Sequence, residues 1–307
     1  MHESLSPKDN DVWSEWLLSR RHGNSEQRAR QISASVDIYA AKVLEGAQLS
    51  AGMTLVDVGS GEGLIAFQAI ERVGATLNVI LTDISPALLS HAQATAVARH
   101  IDHQCTFLRC SAEDLHEIPN ESVDVVITRS VLAYVSNKPG AFREFYRVLK
   151  PGGRISIAEP IFRDDALMIM AMKNWIDKNP DAEDIATTRL IYKWKASQLP
   201  NTLPEIMADP MTNYSERDLF AMIKEAQFND VHLELHLDSI DEAPIPWDSH
   251  LESSPHPLSP TLGEILADAF TPAERIQFEQ TIRPKLENET QNATRRMAYM
   301  SALKPKK

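Results

Sequence analysis

The chain of 307 residues contains only two cysteines, Cys105 and Cys110. They bracket one short apolar run and fall on opposite faces of it by parity, so no disulfide is expected between them. No apolar stretch reaches the ~18–20 residues of a membrane span. The opening residues, Met-His-Glu-Ser-Leu-Ser-Pro-Lys-Asp-Asn-Asp, lack the apolar core of a secretory leader. A reduced, cytoplasmic protein with no membrane partner is the economical expectation. Positive charge is also short: 31 Lys and Arg against 43 Asp and Glu leave a net charge of −12. Gripping a nucleic-acid backbone needs clustered cations, so this balance argues against a nucleic-acid partner. A small anionic substrate needs only one or two local arginines and stays open. There is no internal repeat and no low-complexity tract.

What is present is a soluble composition, 43% hydrophobic and 24% charged, in a chain long enough for one sizeable domain with additions. Its most informative segment is Met53-Thr-Leu-Val-Asp-Val-Gly-Ser-Gly-Glu-Gly63, a buried strand running into three alternating glycines. Such a turn lets backbone N–H groups approach a ligand closely. A dinucleotide fingerprint would need glycine at position 64, which is Leu64. A phosphate loop of the Gly-Lys-Ser/Thr kind is excluded, because no lysine lies between Lys42 and Lys138.

From residue 53 strands and helices alternate in short units, which predicts a parallel sheet covered on both faces. Strands are expected at 53–58, 77–82, 105–109, 123–128 and 154–159. A helix bearing Phe142, Phe145, Val148 and Leu149 should end at Pro151-Gly152-Gly153. Two further strands are expected at 231–237 and 296–303. The division that follows is a helical arm or cap at 1–48, a nucleotide-fold core at 49–160 and a helical insertion at 161–212. Residues 213–307 then complete the sheet around a second insertion at about 241–292.

Five features occur in a fixed order: Asp57 before the glycine turn; Asp83 ending the second strand; Ser111-Ala112-Glu113-Asp114 after the third; Ser122-Val-Asp-Val-Val-Ile-Thr-Arg-Ser-Val131 around the fourth; and Phe142-Arg-Glu-Phe-Tyr-Arg-Val-Leu-Lys-Pro-Gly-Gly-Arg154. In this order they resemble class I S-adenosylmethionine (SAM) methyltransferases of the small-molecule type, over roughly residues 50–160. The resemblance implies a Rossmann-like seven-stranded α/β sheet, here with the helical arm and two mainly helical insertions. It implies SAM as cofactor and S-adenosylhomocysteine as product. Gly59, Ser60, Gly61 and Gly63 would cradle the methionine part, with Asp57 orienting that loop and the amino group. Asp83 would hold the ribose, Ile84 would lie on the adenine, and Ala112 and Glu113 would meet its edge. Arg129, beside the cofactor, resembles the arginine of the ubiquinone and menaquinone C-methyltransferases.

The acceptor side is read from position alone. Tyr134, Glu159 and His22 are the candidate catalytic groups. Trp16, Arg20, Arg21, Ser130, Tyr192, Tyr214, Trp247, His250 and His256 are the candidate substrate contacts, with Trp13, Trp194 and Asn213 as further candidates by position. The plainer reading makes the tryptophans core anchors and Arg20-Arg21-His22 a solvated helix end. Nothing suggests a metal site. A nucleic-acid methylase motif, Asp/Asn-Pro-Pro-aromatic, is replaced here by Arg129-Ser130-Val131-Leu132. A small-molecule acceptor follows. S-methylation of a methionine-like thioether, O- or C-methylation of a phenol or quinone, and a SAM-binding sensor remain as alternatives. In length and insert layout the chain resembles bacterial methionine S-methyltransferases. Homodimerisation through the arm or insertions is a further expectation.

Overall fold

The computed structural model describes residues 11–306, so the polar stretch through Asn10 discussed above lies outside the described residues. Asp11 caps the first helical turn, its carboxylate accepting from the N–H groups of Trp13 (3.0 Å) and Ser14 (2.9 Å). Helix α1 (Val12–Glu15) passes straight into a π-helical turn, Trp16–Arg20. Gly23 and Asn24, both left-handed, break the chain before α2 (Glu26–Ala47). That helix buries Val36, Ala40, Val43, Leu44 and Ala47 against the sheet.

The alternation then runs β1 (Thr54–Val58), α3 (Leu64–Val73), β2 (Asn78–Thr82), α4 (Pro86–Ala98), β3 (Cys105–Leu108), β4 (Val123–Arg129), α5 (Lys138–Val148) and β5 (Leu149–Pro160). Caps explain several starts: Ser85 accepts from Leu88 N–H at 3.1 Å ahead of Pro86, and Asn137 accepts from Gly140 N–H at 3.0 Å. Beyond β5 come α6 (Arg163–Lys178), α7 (Ile185–Ala196), α8 (Leu203–Ala208), α9 (Glu216–Glu225) and β6 (Asn229–Glu242). The second insertion holds α10 (Trp247–Leu251), α11 (Leu262–Asp268), α12 (Pro272–Thr281) and α13 (Arg283–Asn288), before β7 (Gln291–Leu303) closes the sheet.

The seven strands lie in the order β3-β2-β1-β4-β5-β7-β6, with β1 to β5 parallel and β7 antiparallel to both neighbours. This is the Rossmann-like seven-stranded sheet that the family resemblance implied, parallel through β1 to β5 as the alternation predicted. The chain leaves β1 toward β2 on one side and reaches β4 on the other, so connections diverge there and open a crevice at the strands' carboxyl ends. One apolar cluster, with Phe142, Phe145, Tyr214 and Phe228, fills the face under α5 and α9. Another, with Val43, Phe67 and Ile70, fills the face under α2 and α3. A third, separate cluster of Leu190, Trp247, Phe270 and Phe278 binds the two insertions to each other.

Three strand boundaries differ from expectation by five residues, the others by two at most. Strand β5 starts at Leu149 and not at 154, because Leu149 pairs with Val123 and the chain bulges through Pro151-Gly152-Gly153 before pairing resumes at Arg154–Val125. Gly152, at φ +83°, donates to the Lys304 carbonyl at 2.9 Å, so the last strand holds the bulge in place. Strands β6 and β7 extend past β5: pairing continues from Leu237–Arg296 to Glu242–Gln291, a two-stranded ribbon that projects beyond the sheet. These residues carry no clean alternation of apolar side chains, since both faces of the ribbon are partly exposed.

Candidate functional site

A cavity of about 1420 Å³ opens above the carboxyl ends of β1, β2 and β4, roofed by the arm, α7 and the second insertion. Pockets for one small ligand run to roughly 300–1,000 Å³, so there is room for a cofactor and an acceptor together.

The floor is built by the glycine turn. Gly59 and Gly61 have φ of +66° and +56°, where a side chain is strained, and a Cβ on Gly59 would sit 2.3 Å from Val131 Cγ2. The turn is tied to β2 by Asp83, whose two carboxylate oxygens accept from Gly61 N–H and Ser85 N–H, each at 2.9 Å. Burial raises the Asp83 pKa, partly offset by those N–H groups. Asp57, 2% exposed, has its Oδ2 buried without a hydrogen-bond partner, as is Ser60 Oγ beside it. Desolvation pushes the Asp57 carboxyl up to about 7, against the pull of the Arg129 guanidinium. Ile84 is an apolar side chain 46% exposed on the cavity wall, and Ala112 and Glu113 continue that wall after β3.

The side after β4 depends on one buried carboxylate. Ser130 takes a left-handed φ of +56°, which lets Arg129 turn into the cavity. The next three N–H groups, of Val131, Leu132 and Ala133, all donate to Glu159, at 3.0, 3.1 and 3.3 Å. Glu159 is fully buried and does not line the cavity, and burial raises its pKa to about 7. It positions Val131 against Gly59, which corrects its reading as a base in contact with substrate. Tyr134 does line the cavity, its ring edge-on to Trp13 at 5.1 Å, and burial raises its phenol pKa.

The arm divides along its π turn. Trp16 and Arg21, five apart, both face the cavity, with the guanidinium 5.4 Å from the indole centroid and Trp16 Nε1 donating to Ser254 O at 3.0 Å. Burial first, then the neighbouring Arg129, lowers the Arg21 pKa to about 10. Arg20 points outward into ion pairs with Glu15 (2.8 Å) and Glu264 (3.2 Å). His22, one turn beyond Leu18, sets Nε2 3.1 Å from the Leu18 carbonyl on the outer side. Neither lines the cavity, so both expectations are corrected.

Other expected contacts are structural. Tyr214 is fully buried, its hydroxyl donating to Pro160 O at 2.7 Å with Lys138 Nζ 4.5 Å above its ring. Trp247 anchors the cluster between the insertions. Tyr192 bonds Asn201 at 3.2 Å, off the α7 stripe that lines the cavity, and His256 is buried with Nε2 2.9 Å from Gln198 O. Gly63 caps α3 and lies under the Phe67 ring, where a Cβ would approach to 2.6 Å, so it packs the turn from behind. Of the expected histidines, His250 is the one on the cavity; burial lowers its pKa, and its Nε2 is 3.4 Å from Leu286 O.

Several lining residues escaped the sequence reading. Thr187, Ile191, Lys195 and Gln198 join the expected Trp194 in an i, i+4, i+7, i+8, i+11 face, and that period was available to find Lys195. Arg28 lies on the matching face of α2 with Gln31, Ile32 and Ser35. Glu242, Arg295 and Arg296 come from the projecting ribbon, whose pairing no local pattern announces.

A family model described as a methyltransferase domain matches residues 49–229. The chain is 35% identical over 126 residues to the arsenite methyltransferase of Halobacterium salinarum, covering 40% of this chain and 32% of that protein. It is 36% identical over 105 residues to the ubiquinone/menaquinone biosynthesis C-methyltransferase UbiE of Nitrobacter hamburgensis, covering 34% and 41%. The chain thus spans about a third to two-fifths of the length of these curated relatives. Among solved structures, YcgJ of Bacillus subtilis superposes with a TM-score of 0.52 at 15% identity, covering 88% of this chain and 100% of that one. Phosphoethanolamine N-methyltransferase 2 of Haemonchus contortus, solved with S-adenosyl-L-methionine, gives 0.51 at 18% identity, covering 88% and 53%. At such identities the likeness is one of fold.

Proposed function

The chain belongs to the methyltransferase domain family, and on that premise we propose that it moves a methyl group from SAM to a small-molecule acceptor, leaving S-adenosylhomocysteine. One observation carries the reading. Two buried polar atoms without partners, Asp57 Oδ2 and Ser60 Oγ, lie at a glycine turn that shares its cavity with the arm and both insertions.

Asp57 would take the cofactor's ammonium, and Gly59 and Gly61 would admit its methionine backbone. Asp83 has lone pairs left for the ribose hydroxyls, Ile84 supplies an apolar surface for adenine, and Ala112 and Glu113 would meet the adenine edge. When bound, the sulfonium supplies an activated methyl group for in-line displacement. Trp13, Trp16 and Leu17 cover the turn and exclude water, which strengthens the electrostatics within. The rings of Trp16, Tyr134 and Trp194 present faces that favour positive charge.

S-methylation of a thioether such as methionine is the acceptor chemistry favoured here, because it removes no proton. Of the candidate catalytic groups, Glu159 and His22 are off the cavity, and Tyr134, which lines it, is held protonated by burial. O- or C-methylation of a phenol or quinone is the second reading, supported by His250: a lowered pKa keeps it neutral at pH 7 and able to accept a proton. A thiophilic acceptor such as arsenite would call for thiolates, whereas burial holds the lining Cys110 at about 11.

The test is S-adenosylhomocysteine release from SAM with pooled thioethers, phenols, quinones and amines, with Asp83→Ala as the blank. His250→Asn should leave thioether turnover within about twofold and cut phenol turnover by ~10²-fold or more. SAM bound tightly with no release from any pool would favour the sensor.

A further inference from the structure

Much of the cavity lies away from the glycine turn, between α2, α7 and the β6–β7 ribbon. Its cations are unequally satisfied. Arg295 is paired with Glu242 at 2.8 Å, and Arg296 with Asp165 at 2.7 Å and Asp164 at 3.4 Å. Arg28 and Lys195 line the same region with no ion pair among the described residues. Arg28 donates once, from Nη1 to Ser253 Oγ at 2.9 Å, and Lys195 Nζ rests 4.0 Å over the Trp194 ring. Glu242 is the acid that faces both cations, and Asp165 also faces Lys195. Both acids are already engaged by their own arginines. Arg28, Lys195, Arg295 and Arg296 stand against the paired acids Asp164, Asp165 and Glu242, all three of which are taken by Arg295 and Arg296 and none by Arg28 or Lys195. Next to Lys195, the Trp194 indole N–H is buried and has no acceptor.

Unpaired cations and an unpaired donor held away from water are costly. Burial lowers the pKa of Arg28 and of Lys195, the direction expected when nothing compensates the charge. A carboxylate would satisfy both cations at once, since it offers several lone pairs and one negative charge. We infer that Arg28 and Lys195 form the clamp for a carboxylate carried by the methyl acceptor. This rests on the methyl-transfer reading and narrows it to carboxylate-bearing acceptors. Arg20 is excluded from the role by its own ion pairs, and Arg21 stands beside Arg129 nearer the glycine turn.

The experiment is calorimetric titration of the full chain loaded with S-adenosylhomocysteine, using pairs of probes that differ only in the carboxylate. The pairs are L-methionine with L-methioninol, and 4-hydroxyphenylacetate with 2-(4-hydroxyphenyl)ethanol. In at least one pair the acid should bind about tenfold or more tighter than its alcohol. Arg28→Met and Lys195→Met should each erase that preference while S-adenosylhomocysteine affinity stays within about twofold. Lys195→Met should also raise the melting temperature of the empty protein, because an uncompensated charge is removed. Acid and alcohol behaving alike in both pairs, absence of binding included, would overturn the assignment. So would a preference that survives both variants, or a lower melting temperature in Lys195→Met. Failure of the wild-type chain to bind S-adenosylhomocysteine at all would instead sink the methyl-transfer reading.

Discussion

Asp57 offers a test of the cofactor site that needs no knowledge of the acceptor. Its carboxyl is held at about 7 by burial, with Oδ2 lacking any partner. A free aspartate titrates near ~4. In the empty cavity the ionised fraction is therefore about one in eleven at pH 6 and about ten in eleven at pH 8. If a cofactor ammonium seats against Oδ2, it binds the ionised form and returns the carboxyl toward its ordinary range. Affinity should then rise about fivefold from pH 6 to pH 8, the tenfold gain in carboxylate being about halved at pH 8 by loss of the ligand's ammonium, with a proton released on binding below pH 7. Calorimetry with S-adenosylhomocysteine in buffers of different ionisation enthalpy reads both quantities. The ligand's own amino group titrates near ~8. Asp57→Asn removes the carboxyl contribution and leaves that of the amine, so it should bind more weakly and lose the rise. The empty protein should show the opposite slope. A raised folded pKa means the folded state holds the extra proton, so stability falls as pH climbs from ~4 to ~7. Wild-type affinity that is flat from pH 6 to 8, or a rise retained in Asp57→Asn, would refute the placement.

Gly59→Ala sets a Cβ 2.3 Å from Val131 Cγ2 at a positive φ and should cost about 2–4 kcal/mol in denaturant unfolding. Adding Val131→Ala should recover part of that loss, and a strictly additive double mutant would show that the two do not press on each other. Glu159→Gln keeps one oxygen for the Val131 and Leu132 N–H groups but turns an amide nitrogen toward the Ala133 N–H, at a cost of about 1–3 kcal/mol. It should also weaken SAM binding through Val131, whereas an unchanged affinity would sever Glu159 from the glycine turn.

The cofactor side was largely legible because its residues sit at strand ends in a fixed order. Asp57, Ser60, Asp83, Ile84, Glu113 and Arg129 all reach one cavity, each carried there by the strand immediately before it. Gly63 was the exception: its spacing resembled that of its neighbours, yet Phe67 occupies the space beside it. The acceptor side was poorly legible. Tyr192 and Trp194 looked equivalent as aromatic residues, and only the direction in which α7 packs separated them. Glu159 looked like a base because it ends a strand, and the loop after β4 turned out to claim both its oxygens.

By itself the sequence determined the order of strands and helices, the turn chemistry between them and the caps that start them. These rest on propensities and hydrogen bonds within a few residues, which any short window of chain contains. Only the tertiary structure decided which side of α2 and α7 meets the cavity, how far the β6–β7 ribbon projects and which charges are left unpaired. Those outcomes depend on contacts between residues up to some two hundred positions apart, such as Lys42 with Glu234 or Arg28 with Ser253. A lone arginine or lysine is the same letter whether or not a partner folds against it. Its meaning here comes from the acids that other arginines had already taken.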